Sequence, residues 1–215
     1  MLRVNGDRLW SALMEIGEIG GTPGGGCRRL ALSEEDGRAR DLFRKWAEEA
    51  GCSVTVDGIG NIFARREGTD HAAAPVAIGS HLDTVPTGGK FDGVYGVMAG
   101  LEVLRRLRDL DLQTRLPIEV IAWTNEEGAR FSPMTMGSSV FTGNMTLDFA
   151  LSRQDPSGLS VGEALKRIGY AGNMAVGGRP FTAYLEVHVE QGPLLKEGGE
   201  QIGVVTGSFK ARYFV

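Results

Sequence analysis

Residues 76–124 decide the fold: they begin with VAIGS at 76–80 and end with IEVIAWT at 118–124. Both segments are short, apolar and bounded by polar or turn residues, which is typical of buried strands. Between them, apolar residues recur with helical spacing at Val94, Val97, Met98, Leu101, Leu104 and Leu107. The order strand, long helix, strand predicts a βαβ unit with two parallel strands.

The flanking segments extend this unit into a larger sheet. Asn5 is a favourable N-cap for an opening helix, and Ser33 begins a second helix with acidic residues in its first turn. Alternating residues across 54–64 surround an Asp-Gly turn and predict a β-hairpin. Ser160 begins a further helix, and residues 184–190 predict a strand. The predicted fold class is α/β, a layered sheet with helices on both faces, in which ligands bind at the carboxyl ends of strands.

Composition excludes several functional classes. The 215 residues are 42% hydrophobic and 23% charged, which is typical of folded globular proteins. The net charge of −4 and the lack of long basic runs argue against nucleic acid as a partner. Apolar stretches fall short of the ~20 residues that a membrane span needs. The N-terminal residues lack a signal-peptide pattern, so a cytoplasmic location is expected, with Cys27 and Cys52 reduced and structural.

Chemically competent side chains follow the predicted strands. They are His81 and Asp83 after the first parallel strand, Asp92 in the next loop, Glu126 and Glu127 after the second parallel strand, and His188 near the end of the last strand. The carboxyl ends of these strands meet at one edge of the sheet. Imidazole and carboxylate groups without thiolates form a ligand set for zinc, or less specifically for manganese or cobalt.

Each residue type suits a role at such a centre. His81 would bind metal while Asp83 accepts its other ring N–H. Asp92, with two oxygens, suits a bridge between two metals ~3.5–4 Å apart. The side chains of Glu126 and Glu127 diverge, so one can bind metal while the other takes a proton from water.

Each signal has an ordinary structural explanation when taken alone. A Glu-Glu pair is usually a solvated surface, Asp92-Gly93 is a common turn, and His188 can be a satisfied polar side chain. His71 lies in a polar, alanine-rich loop and is expected to be exposed and without function. The glycine-rich segment 20–26 lacks the Lys-Ser or Lys-Thr of a phosphate loop. It is their convergence on one sheet edge that favours a metal site.

Five ordered motifs resemble one enzyme family. They are SHLDT at 80–84, GGKFDGVYGV at 88–97, WTNEEGARF at 123–131, MGSSVFTG at 136–143 and LEVHVEQGP at 185–193. The chain resembles the dinuclear-zinc amidohydrolases that include N-carbamoyl-L-amino-acid hydrolase, allantoate amidohydrolase and β-ureidopropionase. The resemblance implies a zinc-exopeptidase-like catalytic domain that hydrolyses linear amide C–N bonds of small molecules, most directly N-carbamoyl-L-amino acids.

The resemblance also implies roles for individual residues. His81, Asp92 and His188 would hold one zinc ion. Asp92 and Glu127 would share a second zinc with a histidine near the C-terminus of a full-length chain. Glu126 would be the general base and Asp83 an orienting acid. Gln191 would contact the substrate.

Members of this family are longer, with an inserted dimer-forming domain. We therefore expect residues 1–208 to form the first segment of the catalytic domain and 209–215 to begin the connection to a dimerisation domain that the chain lacks. The full-length protein is expected to be a homodimer. Three alternatives stay open: allantoate or β-ureidopropionate as substrate, an N-acyl amino acid or peptide as substrate, or a catalytically inactive metal-binding fragment.

Overall fold

The structure is a computed structural model that describes residues 2–207. The elements in chain order are α1 (Gly6–Gly17), α2 (Glu34–Glu49), β1 (Ser53–Val56), β2 (Ile62–Arg66), β3 (Val76–His81), α3 (Val94–Asp109), β4 (Ile118–Trp123), α4 (Met136–Phe141), α5 (Leu147–Ser152), α6 (Val161–Arg167), β5 (Ala183–Leu185) and α7 (Leu194–Gly198). The predicted α/β class is confirmed. The connection expected at 209–215 lies outside the described residues.

The five strands form one sheet in the order β1-β2-β4-β3-β5. β1 and β2 form the predicted antiparallel hairpin, and β2 also runs antiparallel to β4. β3 is parallel to β4 on one side and to β5 on the other. The predicted βαβ unit, β3-α3-β4, is therefore confirmed, and the carboxyl ends of three adjacent strands lie at the same edge of the sheet.

Local capping explains where the helices begin. The Asn5 side chain accepts a hydrogen bond from the Arg8 N–H at α1, and α6 has a complete capping box between Ser160 and Glu163. At α2, Ser33 accepts from the N–H of Asp36, but the Asp36 carboxylate turns to the Leu32 N–H and to Arg40 instead of completing the box.

Both faces of the sheet are packed. Along β4, Val120 and Ala122 point into the main core beneath α2 and α3, whereas Ile121 and Trp123 point to the opposite face, since side chains alternate along a strand. The second face is covered by a smaller aromatic cluster. Phe141 of α4 belongs to this cluster and stacks on another ring with a centroid distance of 5.2 Å.

The strand predicted over residues 184–190 is wrong in its extent. Strand pairing covers only Ala183–Leu185, opposite Val76 to Ile78 of β3. β5 lies at the edge of the described sheet, so it has one neighbour to pair with. Beyond Leu185 the chain runs against the first turn of α3, where a Cβ on Gly96 would lie 2.6 Å from the Val187 carbonyl oxygen.

Two further predictions from the sequence concern the state of the cysteines and the lack of a membrane span. Cys27 and Cys52 are both buried and free, as predicted. Within residues 2–207, every helix is too short or too polar to cross a lipid bilayer.

The buried Arg40, which forms an ion pair with Asp36 on the same helix, fastens α2 to the sheet. The Arg40 Nε donates to Asp36 Oδ2 over 2.8 Å, and the two side chains are 2% and 0% exposed. The same guanidinium donates to the Gly60 carbonyl oxygen at 2.7 Å and to Thr124 Oγ1 at 3.4 Å. Arg40 thus joins the helix both to the hairpin turn and to the residue that follows β4.

We expect Asp36→Ala to destabilise the fold by about 3–5 kcal/mol, because it leaves the buried Arg40 guanidinium without its carboxylate. Urea unfolding followed by circular dichroism measures the change. Glu34→Ala is the matched control, since Glu34 is exposed in the first turn of the same helix and is expected to cost less than about 1 kcal/mol. Equal losses in the two variants would contradict this role for the ion pair.

Candidate metal centre

Three elements bring the candidate ligands together. β3 ends at His81, the loop after it carries Asp92 to the start of α3, and β4 ends just before Glu126 and Glu127. His188 arrives from the segment that follows β5. Because β3, β4 and β5 are parallel neighbours, residues far apart in the sequence meet at this edge.

His81, Asp92 and His188 form a compact group in which one ligand atom from each lies within 4.8 Å of the others. The Nε2 atoms of His188 and His81 lie 3.1 Å and 3.9 Å from Asp92 Oδ1. That oxygen is buried and takes part in no hydrogen bond among the described residues. Two imidazole nitrogens facing an unpartnered carboxylate oxygen fit a divalent cation that accepts nitrogen and oxygen ligands.

The group is open on one side. The His81 side chain is only 3% exposed, whereas that of His188 is 32% exposed. Within residues 2–207, the His188 side of the group is therefore its more exposed side, and His81 forms its inner wall.

Backbone carbonyl groups orient both imidazole rings. Nδ1 of His81 lies 2.9 Å from the Asp83 carbonyl oxygen, and Nδ1 of His188 lies 2.8 Å from the Val189 carbonyl oxygen. Nδ1–H donation to these carbonyls leaves Nε2 free to face Asp92. The expectation that the Asp83 carboxylate would accept the His81 ring N–H is wrong, because the carbonyl group of Asp83 occupies that position.

The Asp83 carboxylate instead holds the loop after β4. Its Oδ1 accepts the N–H of Glu126 and its Oδ2 accepts the N–H of Glu127, each at 3.2 Å. Asp83 is buried, and burial raises its pKa to about 6 against the lowering effect of His81 and of these two hydrogen bonds. Asp83 therefore connects the end of β3 to the end of β4.

The two glutamates differ in their placement. Glu126 Oε2 lies 3.5 Å from His81 Nε2. Glu127 is half-buried on the same loop, but its carboxylate does not belong to the compact group of three. Burial raises the pKa of Glu127, with the charge of Asp92 adding to the rise and His81 opposing it.

The electrostatic balance around His81 also favours a cation. Burial lowers the pKa of this imidazole, but the charges of Asp83, Glu126 and Glu127 and the hydrogen bond to the Asp83 carbonyl group together outweigh burial, so its pKa lies above the ordinary value. The centre thus holds a surplus of negative charge, which a bound cation would neutralise.

Gln191 contacts the other oxygen of the central carboxylate. Its Nε2 donates to Asp92 Oδ2 at 2.9 Å, which leaves Oδ1 free to face the imidazoles. A contact between Gln191 and the substrate stays a prediction.

His71 lies outside the centre. Its side chain is 76% exposed, and its Nδ1 lies 3.7 Å from Glu67 Oε2.

Gly93 is required by the packing of His81. It has φ +66°, and a Cβ built on it would overlap the His81 ring. The backbone therefore touches the imidazole directly, in a conformation that side chains with a Cβ rarely adopt.

Sequence reasoning missed a cluster that supports His188. Glu186 accepts hydrogen bonds from the hydroxyl groups of Ser80 and Tyr184, and Tyr184 in turn accepts from the indole of Trp123. The sequence pattern that indicates this cluster is the spacing of Tyr184, Glu186 and His188 at every second position, which places their side chains on one side of an extended chain.

Comparisons with known proteins show the family and the fold. Residues 77–213 match peptidase family M20/M25/M40. The chain is 55% identical to an N-carbamoyl-L-amino-acid amidohydrolase of Rhizobium meliloti, covering 95% of this chain and 49% of that protein. It is 44% identical to the enzyme of the same name from Geobacillus stearothermophilus, and the match covers 95% of this chain and 51% of that protein.

A solved structure gives the same fold. A hydantoinase/carbamoylase family amidase from Burkholderia ambifaria superposes with a TM-score of 0.91 at 56% identity, covering 92% of this chain and 48% of that one. The chain thus spans about half the length of the curated relatives that it matches.

We expect Gly93→Ala to weaken zinc binding by at least tenfold, because the new methyl group displaces the His81 ring. Isothermal titration calorimetry with zinc measures the affinity. Gly89→Ala is the matched control: a Cβ there meets no atom within 4 Å, and its backbone has no positive φ. Unchanged zinc affinity in Gly93→Ala would show that the contact with His81 does not position the ligand.

Proposed function

Since the chain belongs to peptidase family M20/M25/M40, we propose that it provides the first part of a metal-dependent hydrolase of linear amide C–N bonds. The observation that carries the proposal is the unpartnered Asp92 Oδ1 facing the His81 and His188 imidazoles. The relatives named N-carbamoyl-L-amino-acid amidohydrolase support N-carbamoyl-L-amino acids as the substrate class.

Zinc is the proposed ion, with manganese and cobalt as alternatives. Two imidazoles and a carboxylate, without a thiolate, suit these ions. Glu127 and Asp92 are proposed to contribute to a second ion together with a residue from the remaining part of the full-length protein. When bound, such an ion lowers the pKa of a coordinated water to about 7 and polarises the carbonyl group of the substrate.

The residues of this chain then have distinct tasks. Glu126 takes a proton from the attacking water and delivers it to the leaving nitrogen. Asp83 holds the backbone of Glu126 in place through its N–H. Water adds to the carbamoyl carbon, the C–N bond to the amino acid breaks, and the released carbamate yields CO2 and ammonia. Gln191, on the open side, is proposed to contact the substrate.

The domain organisation and assembly are proposed from the resemblance to the amidohydrolase family. Residues 1–208 form the first segment of the catalytic domain, and the full-length protein is a homodimer that acts on a small molecule. A cytoplasmic location and the absence of nucleic-acid and membrane partners stay predictions from composition.

The base role of Glu126 is tested in the full-length protein by ammonia release from N-carbamoyl-L-amino acids, with allantoate and β-ureidopropionate as competing substrates. Glu126→Gln should retain its metal and lose a factor of about 10²–10⁴ in kcat, because the amide cannot accept the proton. The control Glu197→Gln alters an exposed glutamate on α7. Turnover retained in Glu126→Gln would exclude Glu126 as the base, and turnover that resists a chelator would exclude the metal-dependent mechanism.

Zinc stoichiometry tests the ligand set in the chain itself. We expect the 215-residue chain to bind one zinc ion tightly, because His81, Asp92 and His188 converge whereas Glu127 lies outside that group. Metal analysis after gel filtration measures the ratio, and His188→Ala should bring it close to zero. Tight binding that survives His188→Ala would contradict the assignment.

A further inference from the structure

His188 is held differently from His81. His81 is the last residue of β3 and pairs with Trp123 in the ladder, so backbone hydrogen bonds fix its position. The ladder between β3 and β5 ends at Leu185, three residues before His188. The chain from 186 to 191, here called the His188 segment, therefore needs other contacts to bring its imidazole to Asp92.

Glu186 supplies these contacts through both carboxylate oxygens. Oε1 accepts from Ser80 Oγ at 2.7 Å, and Oε2 accepts from the Tyr184 hydroxyl at 3.1 Å. The Tyr184 oxygen accepts from Trp123 Nε1 at 2.8 Å. The His188 segment is thus bonded directly to Ser80, the residue before His81 in β3, and through Tyr184 to Trp123, the last residue of β4.

Two glycines make room for this arrangement. A Cβ on Gly79 would lie 2.8 Å from the Tyr184 hydroxyl oxygen and 3.2 Å from Trp123 Nε1. A Cβ on Gly96 would lie 2.6 Å from the Val187 carbonyl oxygen and 2.8 Å from the Ser80 Cβ. At each glycine at least one of these distances is below 3.0 Å, which is too short for a real side chain, so β3 and α3 leave room for the His188 segment only because positions 79 and 96 are glycine.

We propose that Glu186 is a positioning residue that sets His188 against Asp92. Ser80 immediately precedes His81, so the hydrogen bond from Ser80 to Glu186 fixes the second imidazole relative to the first. The two rings lie with centroids 6.1 Å apart. Both oxygens of Glu186 accept hydrogen bonds, in contrast to the unpartnered Asp92 Oδ1, so Glu186 acts through His188 and is not itself a ligand.

This inference rests on the metal-dependent function proposed above, but its test requires no turnover. Zinc affinity is measured in the 215-residue chain by competition with a chromophoric chelator. We expect Glu186→Ala to weaken zinc binding roughly tenfold, as is common when a group that orients a ligand is removed. Glu186→Gln should recover most of the affinity, because its amide oxygen still accepts the Ser80 hydroxyl. Glu190→Ala is the matched control, since this glutamate bonds only to the Leu195 N–H.

A double-mutant cycle separates positioning from general stability. In a His188→Ala background, calorimetry at high zinc concentration measures the weak binding that remains, and Glu186→Ala should weaken it no further, because the ligand that it positions is gone. An equal loss in both backgrounds would assign Glu186 a purely structural role and overturn the proposal. Ser80→Ala tests the same hydrogen bond from its other end and should reproduce the effect of Glu186→Ala.

Cobalt substitution distinguishes positioning from direct coordination. The visible absorption bands of the cobalt-loaded chain should keep their pattern in Glu186→Gln and change in His188→Ala, because only the second variant removes a ligand. Equal changes in the two variants would identify Glu186 as a ligand and overturn the proposal. If the wild-type chain binds no zinc, the proposed function fails as well; if it binds zinc and Glu186→Ala binds equally well, only the positioning role fails.

Discussion

The buried carboxylate of Asp83 is the contact on which the geometry of the centre depends. It lies two residues beyond the end of β3 and accepts the backbone N–H groups of Glu126 and Glu127, which follow β4. The carbonyl group of the same residue orients the His81 ring. One residue therefore sets the relative positions of an imidazole and two carboxylates, while the parallel pairing of β3 and β4 brings their ends together.

The buried carboxylates of the centre are energetically unfavourable without a positive charge close to them. Asp83 is buried, Glu127 is half-buried, and desolvation raises the pKa of both carboxyl groups. Asp92 Oδ1 is buried without a hydrogen bond. Buried polar atoms are almost always paired, so an unpaired oxygen between two imidazoles is best explained by a ligand that the fold is built to receive. A divalent cation supplies the positive charge that these groups share.

The side chains of His81 and His188 are held in position in two different ways. His81 is buried and paired within the sheet, whereas His188 is more exposed, and we propose that Glu186 positions it through side-chain hydrogen bonds. Hydrogen bonds at an exposed position compete with water and contribute modestly, so several of them act together here. The more exposed side of the centre within residues 2–207 is consequently the side on which strand pairing does not hold the candidate ligand.

Sequence patterns predicted the local elements and the candidate metal ligands. Helical spacing, strand alternation and capping residues depend on neighbours within a few positions, so they predicted the βαβ unit, the hairpin and the starts of α1 and α6. The tertiary structure decided what depends on distant partners. β5 pairs with β3 only as far as Leu185, Asp83 turns its carboxylate to a loop 43 residues away, and Gln191 reaches Asp92 across 99 residues. Periodicity carries no information about such contacts, because they form only when the sheet has brought its strand ends together.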